Sequence, residues 1–181
     1  MKRAAWIVLA LVAGCGSNEK KSGSGDAFLR AYSVFMHPRC VNCHPAGDAP
    51  LQGDDGRIHG QNVLRGPTGR GQFALKCANC HNDSNVAGKN MPPGNPNWHL
   101  PPPDMPMAFE GRSPRELALQ LKDPKRNGGK SLAQLLVHVE EDGLVTGCWN
   151  PGEGRSKPPI SHADFAKAFR AWVESGAPVP E

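Results

Sequence analysis

Hydrophobic positions in this chain are gathered into short stretches, separated by long polar runs rich in Gly and Pro, and several of the stretches have helical spacing. Asp26 to Met36 (DAFLRAYSVFM) starts with Asp at an N-cap position and carries Phe28, Leu29, Tyr32, Phe35 and Met36 on a helical pattern. Ser113-Pro114-Arg115-Glu116 predicts another start, with a capping Ser, Pro at the first helical position and Glu two residues later to close a capping box. A third helix is expected from about Ser131 to Asp142. A last one is expected from about Ser161 to Ser175, where Phe165, Ala168, Phe169 and Trp172 follow i, i+3, i+4, i+7 spacing before Gly176. No segment has a persuasive strand pattern. The expected fold class is mainly α and loop-rich.

The first apolar stretch has a different meaning. Lys2 and Arg3 precede Ala4 to Ala13 (AAWIVLALVA), which falls short of the about 20 apolar residues that a spanning helix needs and so reads as a signal-peptide core. Val12-Ala13-Gly14-Cys15 follows directly and resembles the lipobox of bacterial lipoproteins. That resemblance implies removal of residues 1–14 and acylation of Cys15, with several acyl chains giving stable anchoring to a membrane. Gly at position 16, rather than Asp, favours the outer membrane in a Gram-negative host. Residues 16–25 (GSNEKKSGSG) then read as a polar, flexible tether, leaving 26–181 as the folded domain.

Composition narrows what can fold from 26–181. With 18 Pro, 21 Gly and only 38% hydrophobic residues, the chain is short of material for a continuous core and calls for a staple or a large apolar cofactor. The formal charge of +4 includes Lys2 and Arg3, and no basic stripe is present, so nucleic acid is not an expected partner.

Six cysteines divide cleanly: Cys15 for lipid, Cys148 alone, and four in Cys40-Val41-Asn42-Cys43-His44 and Cys77-Ala78-Asn79-Cys80-His81. CxxCH is the c-type haem attachment pattern, in which the thiols take the two vinyl groups and the adjacent His supplies the proximal iron ligand. Three disulfides would leave both histidines unexplained, and so would structural zinc, for which 33 residues between the pairs is also somewhat long. A redox-active CxxC expects a strand-to-helix setting rather than the Gly-, Pro- and Asn-rich loops that follow both motifs. At these ten residues the chain resembles c-type cytochromes. The resemblance implies two covalent haem c groups with His44 and His81 proximal, and cytochrome c-like helices around them.

Sixth ligands are more numerous than needed. His59, in the polar loop Asp55–Gly60 and fifteen residues beyond His44, is the first choice and is expected to fold back over the first haem. Met91, in Asn90-Met91-Pro92-Pro93, resembles the Met-Pro ligand loops of monohaem cytochromes c and would more easily serve the first haem; Met107 would serve the second. Both could equally pack against a haem edge. His99 lies eighteen residues after His81, and His138 sits on the third helix, with surface hydrogen bonding as its rival role. His37 is too near Cys40 to swing over the same haem, and His162 belongs to the start of the last helix. Arg57, Arg65 and Arg70 offer propionate partners, against the simpler expectation of surface solvation. Trp149 is a candidate to cover a haem edge.

Two such haems imply one-electron relay at the cell envelope, accepting from a dehydrogenase or quinol enzyme and passing to an oxidase or reductase, with no catalysis by the chain itself. The alternatives are a peroxidase-like haem enzyme, although di-haem peroxidases are about twice this length, and a ligand-binding sensor with one open iron. Gln120-Leu121-Lys122-Asp123-Pro124, Asn127-Gly128-Gly129 and Trp149-Asn150-Pro151-Gly152 also look like small di-haem cytochrome subunits grouped with isoquinoline 1-oxidoreductase-type molybdenum hydroxylases, which would imply electrons taken from such an enzyme.

Overall fold

The computed structural model describes residues 19–181, which form six α-helices, four of them contributing buried residues to a small apolar core, with a long loop segment between the second and third. The helices are α1 (Glu19–Phe35), α2 (Pro38–Val41), α3 (Pro114–Lys122), α4 (Leu132–Glu141), α5 (Gly143–Gly147) and α6 (His162–Glu174). The leader 1–14 and Cys15 lie outside the described residues. None of the described helices is long and apolar enough to cross a membrane.

Each main helix starts for a reason visible in its sequence. Ser113 accepts from the Glu116 amide while the Glu116 carboxylate accepts from the Ser113 amide, and Ser131 forms the same reciprocal box with Gln134. Ser161 caps α6 through the Asp164 amide. α1 begins at Glu19 rather than at Asp26, so the expected tether is helical from Glu19 to Gly25. Once residues 28–35 are held by packing, each further turn adds a hydrogen bond without a new nucleation cost.

Phe28, Ala31, Val34 and Phe35 of α1 face α6, whose Phe165, Ala168, Phe169 and Trp172 are buried opposite them. α3 contributes Leu117, Ala118 and Leu121, and α4 contributes Leu135, Leu136 and Val139. Aromatic rings dominate the centre: Phe28 lies 4.8 Å from Trp172, and Phe35 meets Phe165 and Phe169 edge-on at 5.2 and 5.8 Å. Such pairs add about 0.5–1.5 kcal/mol each beyond the area they bury, which helps a core with few aliphatic residues. Leu29, expected on the inner face, is 45% exposed.

The segment between α2 and α3 contains two antiparallel hairpins with two-residue strands, β1 (Leu51–Gln52) with β2 (Arg57–Ile58) and β3 (Gly71–Gln72) with β4 (Leu75–Lys76). No strand was expected here, and these are too short to leave a periodic signature. The loops are fixed by a buried cation instead. Arg65, 1% exposed, donates to the carbonyls of Pro101 at 2.6 Å and Gly47 at 2.9 Å and lies 3.5 Å from Asp48. It is a structural pin, not the solvated surface residue expected from its Gly-rich surroundings. Gly69 has φ +76°, and a Cβ there would overlap the Leu100 carbonyl, so two loop strands can approach only at Gly.

Candidate functional site

Both CxxCH motifs form the same local turn. The His44 amide donates to the Cys40 carbonyl at 3.1 Å, and the His81 amide donates to the Cys77 carbonyl at 2.9 Å. In each case a second bond joins the two cysteines, Cys43 to Cys40 at 3.1 Å and Cys80 to Cys77 at 3.2 Å. One turn of helix puts residues at i, i+3 and i+4 on one side, so each pair of thiols and its imidazole share a face.

The imidazoles are held by matching devices. His44 Nδ1 donates to the Met107 carbonyl at 2.8 Å, and its ring stacks on Phe109 with centroids 3.9 Å apart and planes at 8°. His81 Nδ1 donates to the Pro93 carbonyl at 2.7 Å, and its ring stacks on Trp98 at 4.0 Å and 10°. A carbonyl can only accept, so the proton is on Nδ1 and the Nε2 lone pair is free in both. Burial, opposed by the Met107 bond, pushes the His44 pKa down to about 4, and burial also lowers that of His81.

Both motifs open into a single cavity of about 1140 Å³, above the about 300–1,000 Å³ of a site for one small ligand. Its wall includes all four motif cysteines, His44, His59, His81, His99, His138, Met105 and Met107. The three further histidines repeat the arrangement of the motif histidines. His59 Nδ1 donates to the Gly60 carbonyl at 2.9 Å, His99 Nδ1 to that of Asn97, and His138 Nδ1 lies 3.0 Å from an Asp142 carboxylate oxygen. Each keeps Nε2 available.

These rings divide between the motifs. His59 lies with His81, their ring centroids 6.3 Å apart, and not over the first motif as its sequence position suggested. After burial, the neighbours that oppose protonation of His44 include His138, Arg65 and His99, whereas His59 and Arg155 stand in that place at His81. The short β1–β2 hairpin reverses the chain, and the bond from the His59 amide to the Pro50 carbonyl at 2.9 Å fixes where His59 joins the cavity wall.

The methionines depart further from expectation. Met107 belongs to the first motif rather than the second, and its carbonyl, presented at φ +45°, holds the His44 ring. Met91 is 41% exposed, does not line the cavity, and accepts from Arg155 through its carbonyl at 2.6 Å. His37 and His162 are both committed elsewhere: His37 to the Arg39 amide and the Ser156 hydroxyl, His162 through Nε2 to the Val139 carbonyl at 2.9 Å. Trp149 covers no part of the cavity; its indole donates to the Ile160 carbonyl at 2.7 Å and its ring packs on Phe165 and His162. Arg57 pairs with Asp55 and Arg70 with Asn97, both exposed.

The wall also holds Arg39 and Cys148, which sequence reasoning did not place there. The Arg39 side chain is 7% exposed and its guanidinium bonds Asp54 at 2.7 Å and the Gly53 carbonyl at 2.8 Å, yet its Nε–H has no partner. Cys148 lies beside the first motif, its thiol 3.5 Å from the Arg39 carbonyl. Burial, then Cys148, push the Cys43 thiol up to about 12. A redox-active or nucleophilic CxxC needs a stabilised thiolate, which this environment opposes. Among the described residues no three His, Cys, Asp or Glu side chains converge to hold a bare metal ion.

The chain matches no family model, no curated protein and no solved structure.

Proposed function

We propose that the chain carries two covalently attached haem c groups in this one cavity and relays single electrons between redox proteins of the bacterial cell envelope. One observation supports the reading above all others. The same device occurs twice: two thiols and an imidazole on one turn, Nδ1 tied to a carbonyl, an aromatic ring stacked behind, and Nε2 free, all facing a shared space.

The residues fit the group. Cys40 and Cys43, and Cys77 and Cys80, would hold it through thioethers, with His44 and His81 as proximal ligands. The Arg39 Nε–H, buried and without a partner, suits a propionate carboxylate. When bound, haem iron supplies the one-electron couple. The chain's own part is to orient the imidazoles, to exclude water with Phe109 and the α4 face, and to bring both motifs to one cavity. A chain poor in aliphatic residues also gains an apolar centre in this way.

The sequence supports residues 1–14 as a cleaved leader and Cys15 as a lipidated anchor, placing the domain on the membrane surface that faces the periplasm or exterior, with the outer membrane favoured. Electrons would arrive from a donor dehydrogenase and leave to an oxidase or reductase. The partial likeness to cytochrome subunits of molybdenum hydroxylases makes such an enzyme a candidate donor.

Optical spectroscopy of the full chain, produced in a bacterium that attaches haem c, tests the relay. It predicts low-spin spectra for both haems, unchanged by carbon monoxide. A high-spin fraction that binds carbon monoxide or peroxide would point to an enzyme or sensor instead.

A further inference from the structure

We propose that His59 and His81 are the two axial ligands of one iron, that of the haem held at the second motif. The inference rests on the reading of two covalent haems and adds a ligand that the CxxCH pattern does not specify.

Distance carries the argument. Metal–imidazole bonds are about 2.0–2.1 Å long, and a ring centre lies about 1.1 Å from its own nitrogen, so two imidazoles on opposite sides of one metal have centroids about 6.3 Å apart. The His59 and His81 centroids are 6.3 Å apart. Direct stacking, as of His81 on Trp98 at 4.0 Å, would place them closer.

Tautomer and support agree with it. His81 Nδ1 is committed to the Pro93 carbonyl at 2.7 Å and His59 Nδ1 to the Gly60 carbonyl at 2.9 Å. Both therefore present Nε2 lone pairs, with the carbonyl acceptor behind the ring that metal-bound histidines characteristically have. His59 is positioned by its own backbone as well: its amide bonds Pro50, and the Gly60 amide bonds the Gln52 side chain at 2.9 Å. Both imidazoles line the cavity with Cys77 and Cys80, whereas Met91, the nearer methionine in sequence, does not. The ligand thus comes from the loop that follows the first motif, and the second iron would tie residues 51–60 to residues 77–81.

The test uses the full holoprotein and two readouts. Haem count per chain by intact mass comes first; a wild-type chain without covalent haem overturns the parent reading and this one together. With two haems present, near-infrared magnetic circular dichroism of the oxidised protein should show bis-histidine ligation at the second iron. His59→Ala should keep both haems but turn half of the haem high-spin and able to bind carbon monoxide, and added imidazole should restore the low-spin spectrum. A His59→Ala protein that keeps two haems, both low-spin with unchanged ligand bands, overturns the assignment. Should His59→Ala accumulate poorly, His59→Met gives the same decision: the second iron's band moves from the bis-histidine to the histidine–methionine position, or it does not move and the proposal fails.

Discussion

The ring of His44 lies flat against that of Phe109, 3.9 Å between centroids and 8° between planes, and Phe109 in turn meets Phe35 of α1 at 5.4 Å. Phe109 therefore links the imidazole of the first motif to the helical core. Phe109 is 5% exposed, so Phe109→Ala should cost about 3–5 kcal/mol, the range for deleting a buried aromatic. Trp98, which plays the same part behind His81, is only half-buried, and Trp98→Ala should cost about 1 kcal/mol, near the worth of the stacked pair. Denaturant unfolding of the two variants measures the difference, and equal losses would contradict this ordering.

Gly94 follows the carbonyl that orients His81. A Cβ at Gly94 would overlap the Ser84 backbone, so Gly94→Ala must displace the Pro93–Gly94 segment and lengthen the His81–Pro93 bond. The expected result is a stability loss of about 1–3 kcal/mol and, on the proposed reading of two haems, a changed spectrum at the second motif with the first unchanged. Gly47, with open space around it, is the control: Gly47→Ala should stay within about 0.5 kcal/mol of wild type.

Asn127, 2% exposed, donates to the Leu121 and Lys130 carbonyls at 2.8 and 2.9 Å and accepts from the Lys130 amide at 2.9 Å. It fixes the turn between α3 and α4. Asn127→Ala strands these backbone groups and should destabilise by about 2–4 kcal/mol, whereas the exposed neighbour Lys125→Ala should be near neutral. Thermal unfolding distinguishes them.

Acid should loosen the β1–β2 region first. Slight burial tends to raise the Asp54 pKa, but hydrogen bonds from the Ser156 amide and hydroxyl and the charges of Arg39 and His37 outweigh it and hold the carboxyl below its usual range. A carboxylate with a depressed folded-state pKa contributes stability above its unfolded value, about 3.9, and loses it as pH falls through the lower folded value. Asp54→Asn should therefore lower stability at pH 7 and flatten the acid limb below about pH 4. A variant with the wild-type acid limb would contradict the prediction.

The helical half was legible because it obeys local rules: Ser113, Ser131 and Ser161 cap the helices expected of them, and α6 buries the four residues its period marks. The loop half was not. Residues 45–112 have no period, and their path is set by long-range bonds such as Arg65 to Pro101 and Leu100 to Gly69. Arg65 read as a surface residue because nothing nearby in sequence hints at the carbonyls that enclose it. His59 was expected over the first motif, whereas its ring lies beside that of His81, because a short hairpin that leaves no periodic signal reverses the chain. Met107 was judged by its sulfur, when its carbonyl holds His44. Phe109 and Trp98 had no sequence signal beyond being aromatic, since stacking behind an imidazole depends on a fold that periodicity does not describe.

Intact-mass analysis of the mature chain under denaturing conditions, read beside its reduced-pyridine absorption spectrum, tests the central claim most directly. The account predicts two haem masses retained per chain after unfolding, one lost when Cys40 and Cys43 are replaced by Ala and the other when Cys77 and Cys80 are. A chain that carries no covalent haem when made alongside working attachment machinery, with all four motif thiols open to alkylation, would contradict it.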